Sequence, residues 1–314
     1  MGGDNLTFTN EFVLVGLSSD HETQIFLFVV ILLVYSFTLV GNLGIIVLVQ
    51  TDSHLHTPMY FFLTHLSSLE ICYVNCTIPQ MLAHLLMGHA ELSLIRCALQ
   101  MYVALAMATA EAFLLSVMAY DRFLAICRPL IYATVMRRWH QLQLASTCWV
   151  GGFCVAVVCV SITFSHHFCN PCCVNHFICE IPMVLKLACD DTHTTEFIIF
   201  VFAAMVIFIP ISVILISYVL ILLSMFQMRS ATGLRKAFST CGSHLAVVIM
   251  FLGGTTFTYL IPESGRSPDT DKQIAVFYVV VTPLLNPIIY TLRNKDVHEA
   301  MAKALQRLGF AKKS

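Results

Sequence analysis

Seven apolar stretches run through the chain, at Ile25 to Val49, Met59 to Leu82, Ala98 to Tyr120, Leu142 to Thr163, Phe197 to Met225, Thr240 to Ile261 and Gln273 to Leu292. A helix needs roughly 20 apolar residues to cross a hydrocarbon core, and inside that core every backbone N–H and C=O must find a partner within the chain. Helices of this length meet both demands. A transmembrane barrel would instead carry short segments of alternating polarity, and the sequence has none. With 58% hydrophobic and 11% charged residues and a mean hydropathy of +0.82, the chain falls outside the balance of a soluble domain. The expectation is an all-α membrane protein, a seven-transmembrane helix bundle.

An odd number of spans puts the termini on opposite faces, and Lys and Arg decide which is which. Only Arg96, Lys186, Arg266 and Lys272 fall on one side; the other thirteen basic residues, Arg122, Arg128, Arg229, Arg235 and Lys236 among them, fall on the opposite side. The N-terminus is therefore expected outside, the protein lodged as a multi-pass chain in the plasma membrane, with the first span as an uncleaved signal anchor. Residues 1–24 then form an extracellular tail, 25–292 the transmembrane domain, and 293–314 a cytoplasmic amphipathic helix and tail. Along that last segment Val297, Met301, Ala304, Leu305 and Leu308 share one face from Asn294 to Phe310, which would lie on the inner leaflet. Asn5 opens a glycosylation acceptor, Asn5-Leu6-Thr7, on the outer side; Asn75-Cys76-Thr77 lies within a span. The net charge of -1 and the lack of a basic block interleaved with aromatics speak against nucleic acid as a partner.

Six of the thirteen cysteines lie on the expected outer, oxidising side: Cys97, Cys169, Cys172, Cys173, Cys179 and Cys189. Cys97, Cys169, Cys179 and Cys189 are the disulfide candidates, and the sequence leaves their connectivity open. The same loop carries His176, Cys179 and Glu180, a donor set that suits zinc or copper. A bridged sulfur is no thiolate ligand, however, and the spacing has no tetrahedral-site pattern, so a disulfide scaffold with no metal is expected.

Ionisable side chains inside spans are costly and mark candidate sites. Glu70 in span two and Glu111 in span three either share a proton or a cation, or simply hydrogen-bond to neighbouring helices. Asn42, Glu70 and Asn286 read as one interhelical polar cluster below the bilayer centre, because buried Asn needs partners. Asn286-Pro287-Ile288-Ile289-Tyr290 bends span seven near its cytosolic end. Asp121 and Arg122 close span three, where Arg can reach toward water along its aliphatic stem. No HExxH, GxSxG or phosphate loop is present, so an enzyme is not expected.

These features resemble the rhodopsin-like G-protein-coupled receptors. Four longer stretches, LHTPMYFFLTHLSSLEICY (55 to 73), MAYDRFLAICRPLIY (118 to 132), KAFSTCGSHLAVV (236 to 248) and PLLNPIIYTLRNKDV (283 to 297), resemble the signature stretches of olfactory (odorant) receptors of the tetrapod-type class, in order and over essentially the whole chain. Phe123, Glu70 and Leu252 depart from that pattern, standing where Tyr, Asp and an aromatic are usual. The resemblance implies that Asp121 holds Arg122 at rest and releases it toward a G protein when spans three and six separate, with Asn286, Pro287 and Tyr290 part of the switch. It also implies a small volatile odorant, a stimulatory olfactory-type G protein that raises cyclic AMP, and no cofactor.

The odorant pocket is expected in the outer third of the bundle. Met101, Ala104, Leu105 and Ala108 share one face of span three at helical spacing, with Phe202 and Val206 in span five and Thr255, Thr256 and Tyr259 in span six as neighbours. Cys179 to Ile181 would close it from above. The three hydroxyls can orient one polar atom of a mostly apolar ligand. Span three has no carboxylate at its outer end, where amine receptors of this superfamily carry one, which disfavours a cationic amine. A transporter or proton channel is the competing reading of Glu70 and Glu111, but the inverted repeats it predicts are missing. The receptor fold with a non-odour ligand in another tissue stays open.

Overall fold

A computed structural model describes residues 11–18, 20–88, 90–169, 173–226, 231–261, 268–292 and 295–307. Asn5, Cys172, Arg229, Arg266 and Leu308 lie outside the described residues. Helix α1 (His21–Thr51) opens at Asp20, whose carboxylate accepts the Thr23 N–H at 2.9 Å. Helix α2 (Pro58–Met87) starts on a proline, where a missing N–H costs nothing, and stops at Gly88, whose φ of 76° suits a residue without Cβ. Helix α3 (Leu94–Cys127) is capped by Ser93. A short α4 (Pro129–Val135) leads to α5 (Arg138–Thr163), and α6 (Ile181–Leu185) precedes α7 (His193–Phe226) and α8 (Ala231–Leu260). The seventh span is α9 (Pro268–Val276), a π turn over Phe277–Val281, and α10 (Thr282–Leu292); α11 (Lys295–Arg307) follows.

The π turn sits just ahead of Pro283, which has no N–H to give, and the Thr282 hydroxyl donates to the Phe277 carbonyl at 3.3 Å in the wider register. Helix α3 occupies the centre, packed against α2, α5, α7 and α8. Its Ala106 and Ala110 are fully buried because α5 comes very close: a Cβ on Gly152 would run into the Ala106 carbonyl and Ala110. Large apolar side chains such as Phe26, Phe37 and Val40 of α1 and Phe197 and Phe208 of α7 point outward, as lipid requires. Five of the described helices are long and apolar enough on composition alone to cross a membrane, and α2 and α8 are not among them. Helix α2 falls short because its polar residues lower its hydropathy; among them Ser67, Glu70, Thr77 and His84 are buried against the bundle.

The end of the bundle that carries the N-terminal segment departs from an all-helical expectation. Strand β1 (Glu11–Leu14) lies between β2 (Ala90–Ser93), antiparallel with Phe12 opposite Leu92, and β3 (Cys173–Val174), parallel with Val13 opposite Cys173. Phe12 and Leu14 are buried, Phe12 edge-on to Phe168 at 5.3 Å, and Gly16 at φ 78° passes over the His84 ring. The described part of the N-terminal segment is thus tied down as the middle strand of a small sheet. At the opposite end of the bundle the apolar face of α11 divides. Val297 and Ala300 pack into the bundle core, Met301 is 38% exposed, and Lys303 Nζ lies 4.0 Å from Asp52. The helix thus leans on the protein through part of its apolar face.

Candidate functional site

The half of the bundle beneath the small sheet encloses a cavity of about 100 Å³. Met101, Ala104, Leu105 and Ala108 line it from α3, Phe202 and Val206 from α7, Thr255 and Tyr259 from α8, and Ile181 from the loop above. Thr256 does not; it follows Thr255 by about 100° around the helix and faces away. The Thr255 hydroxyl already donates to the Phe251 carbonyl at 3.1 Å, which leaves only its lone pairs for a guest. Tyr73, Glu180 and Tyr278 also stand on the wall, with Glu70, Glu111, Phe251 and Leu252. Glu180 falls within the roof segment expected from the sequence; Tyr73, Tyr278, Glu70, Glu111, Phe251 and Leu252 were not legible as pocket residues, because each comes from an element whose facing depends on the packed bundle. An apolar cavity of about 150 Å³ holds a benzene-sized guest, so even a guest of that size must push the walls of this smaller cavity apart.

The roof is fastened in three ways. Disulfides join Cys97 to Cys179 and Cys169 to Cys189, with Cα–Cα distances of 5.6 and 5.9 Å; Cys173 is free and exposed. Buried Gln100 of α3 accepts the Cys179 N–H at 3.0 Å and donates to the Cys76 carbonyl at 3.2 Å and to Gln80 Oε1 at 3.0 Å. At the loop's far edge Asp190 accepts the His167 N–H at 2.9 Å, and that bond, reinforced by the His167 and His166 rings, holds its carboxyl below the usual range. His176, Cys179 and Glu180 are each engaged elsewhere. Cys179 Sγ is spent in the bridge, His176 Nδ1 accepts the Ile178 N–H at 3.3 Å, and Glu180 accepts the Tyr278 hydroxyl. Among the described residues no group of three His, Cys, Asp or Glu side chains converges on a metal-sized site.

Below the cavity Asn286 donates from Nδ2 to Glu70 Oε1 and to Glu111 Oε1, the latter at 3.4 Å. Asn42 is not part of this cluster: its amide donates to the Thr38 carbonyl of its own helix at 3.0 Å. Spans one and seven approach closely at Gly41, where a Cβ would lie 3.1 Å from the Pro287 ring. Further inward the Tyr218 hydroxyl and His244 Nδ1 share a hydrogen bond of 2.8 Å between α7 and α8. Arg122 stands close enough to Tyr218, Cys241, His244 and Tyr290 to act on all four electrostatically.

The expected ion pair between Asp121 and Arg122 is replaced. Asp121 is 1% exposed and accepts the Tyr132 hydroxyl at 2.9 Å, and among the described residues it forms no ion pair within 4.0 Å. Tyr132 closes the same motif stretch, at the end of the turn through α4, so its presence was legible though its partner was not. Adjacent residues on a helix point about 100° apart, which lets Asp121 face α4 while Arg122 faces α7 and α8.

A family model described as olfactory receptor matches residues 31–307. Olfactory receptor 5L1 from Homo sapiens is 45% identical over 305 residues, covering 97% of this chain and 98% of that protein. Olfactory receptor 5AR1 from Mus musculus is 45% identical over the same length, and the olfactory receptor-like protein OLF3 from Canis lupus familiaris is 44% identical over 308 residues.

Proposed function

The chain belongs to the olfactory receptor family, multi-pass G-protein-coupled receptors that sense odorants, and from that premise we propose how it works. It is not an enzyme. It resides in the plasma membrane with its N-terminus outside. It binds a small, mostly apolar volatile molecule in the outer cavity and activates a stimulatory, olfactory-type G protein that raises cyclic AMP.

The observation that carries the reading is the continuity between the two ends of the bundle. The cavity wall includes Phe251 and Leu252, two helical turns above His244 on α8, and its floor includes Glu70 and Glu111, which Asn286 bridges to the seventh span. A guest that parts α3, α7 and α8 at Phe251 displaces α8 at His244, loosening its bond to Tyr218 and clearing the space beneath Arg122. The ligand drives this only through its preference for the parted arrangement. Arg122 then meets the G protein. Asp121 stays with Tyr132, so the step needs no broken ion pair.

The test is cyclic AMP in cells expressing the chain with an olfactory-type G protein, against a chemically broad odorant panel. A dose-dependent rise that Ala108→Phe removes, at unchanged surface staining, is the expected result. A response that survives the filled cavity undiminished contradicts the site.

A further inference from the structure

Glu180 lies on the cavity wall yet belongs to the loop, not to a span. It is 8% exposed. One of its oxygens accepts the Tyr278 hydroxyl; the other has no protein donor among the described residues, and no Lys, Arg or His there lies within ion-pair distance. Tyr73, Tyr259 and Tyr278 stand around it as mutual electrostatic neighbours, and the remaining wall is mostly aliphatic. A carboxylate oxygen that has no protein donor yet borders the cavity is open to accept from whatever enters it.

We propose that the ligand supplies that donor: the cavity selects small apolar molecules bearing one strong hydrogen-bond donor, an alcohol, phenol or amine, over ethers, esters and hydrocarbons of the same skeleton, with Glu180 as the acceptor. The proposal rests on the odorant-receptor reading and deepens it. It also revises the view that lack of a carboxylate on span three disfavours amines, because the loop brings one to the cavity. Tyr278 fixes the carboxylate while the tyrosine rings and Met101 take the ligand's apolar body.

The experiment compares the full-length receptor's cyclic AMP response to matched sets: cyclohexanol, cyclohexyl methyl ether and methylcyclohexane, then phenol, anisole and toluene. The donor-bearing member should act at about a tenfold or more lower concentration than its ether, as a hydrogen bond to a carboxylate implies. Glu180→Gln, whose amide can still meet Tyr278, should collapse that ratio toward one. Tyr278→Phe should preserve or widen it, since the ligand becomes the sole donor. If Glu180→Gln fails to reach the surface, the wild-type ratio and Tyr278→Phe decide alone. Equal potency of alcohol and ether, or a ratio untouched by both substitutions, overturns the donor assignment. Silence toward every compound of a broad panel, with surface staining intact, instead removes the receptor reading beneath it.

Discussion

Gln100→Met keeps the length and flexibility of the side chain and deletes every hydrogen bond it makes. Three contacts go: the Cys179 N–H loses its acceptor, and the Cys76 carbonyl and Gln80 Oε1 lose a donor. A buried N–H left without a partner costs about 1–3 kcal/mol, and each lost ordinary bond about 1 kcal/mol. The Cys76 carbonyl sits in a helix and keeps its ladder partner, so a total of about 2–4 kcal/mol follows. For a chain of this size that is a fall of several degrees in Tm. The Cys97–Cys179 bridge holds the loop in place meanwhile, so the variant should reach the surface with a looser roof over Ile178 to Ile181 and weaker responses to small agonists. Thermal unfolding of the detergent-purified receptor reads the first effect, and dose–response curves read the second. Leu99→Ala, on the 60% exposed neighbour that faces lipid, is the control. If Gln100→Met melts with the wild type, the loop is not fastened through this residue and the reasoning fails.

Gly152→Val places a branched side chain against the Ala106 carbonyl and Ala110, and surface expression should drop to a small fraction of wild type; normal expression would mean that α3 and α5 pack less tightly than described. Tyr259→Phe should weaken responses to oxygen-bearing ligands several-fold while sparing hydrocarbons, as dose–response curves across one responding series would reveal. Asp190 is held below the usual carboxylate range chiefly by the His167 N–H, so its contribution to the outer loop is complete above about pH 4 and lost as pH falls through its lowered value. The rate at which dithiothreitol opens the Cys169–Cys189 bridge, corrected for thiolate content, should therefore stay flat from pH 8 to pH 5; a rise within that window would point to another group.

What the sequence discloses tracks the range of each interaction. The spans are legible because the bilayer imposes a length that local composition must meet, and α2 reads as a span by its length although its composition is more polar. Strand β1 is not legible. Four residues, EFVL, carry too little pattern, and their partners lie about 80 and 160 positions away along the numbering. Helical spacing placed Met101, Ala104, Leu105 and Ala108 on one face, and the cavity lies against that face. Thr256 shows the limit of choosing by residue type, since its hydroxyl is turned away by one step of the helix. Partner choice is the least local property of all. Asp121 meets Tyr132 rather than its sequence neighbour Arg122, Asn42 turns back on its own helix, and Gln100, a polar residue in an apolar run, proves to be the roof's anchor.

The central claim is that the cavity and the Arg122 cluster belong to one switch. The most direct measurement is ligand-dependent cyclic AMP for wild type and Arg122→Ala at matched surface density, alongside binding of the same agonist. The account predicts that Arg122→Ala still binds the agonist and yields no cyclic AMP response. Full signalling from Arg122→Ala would contradict it.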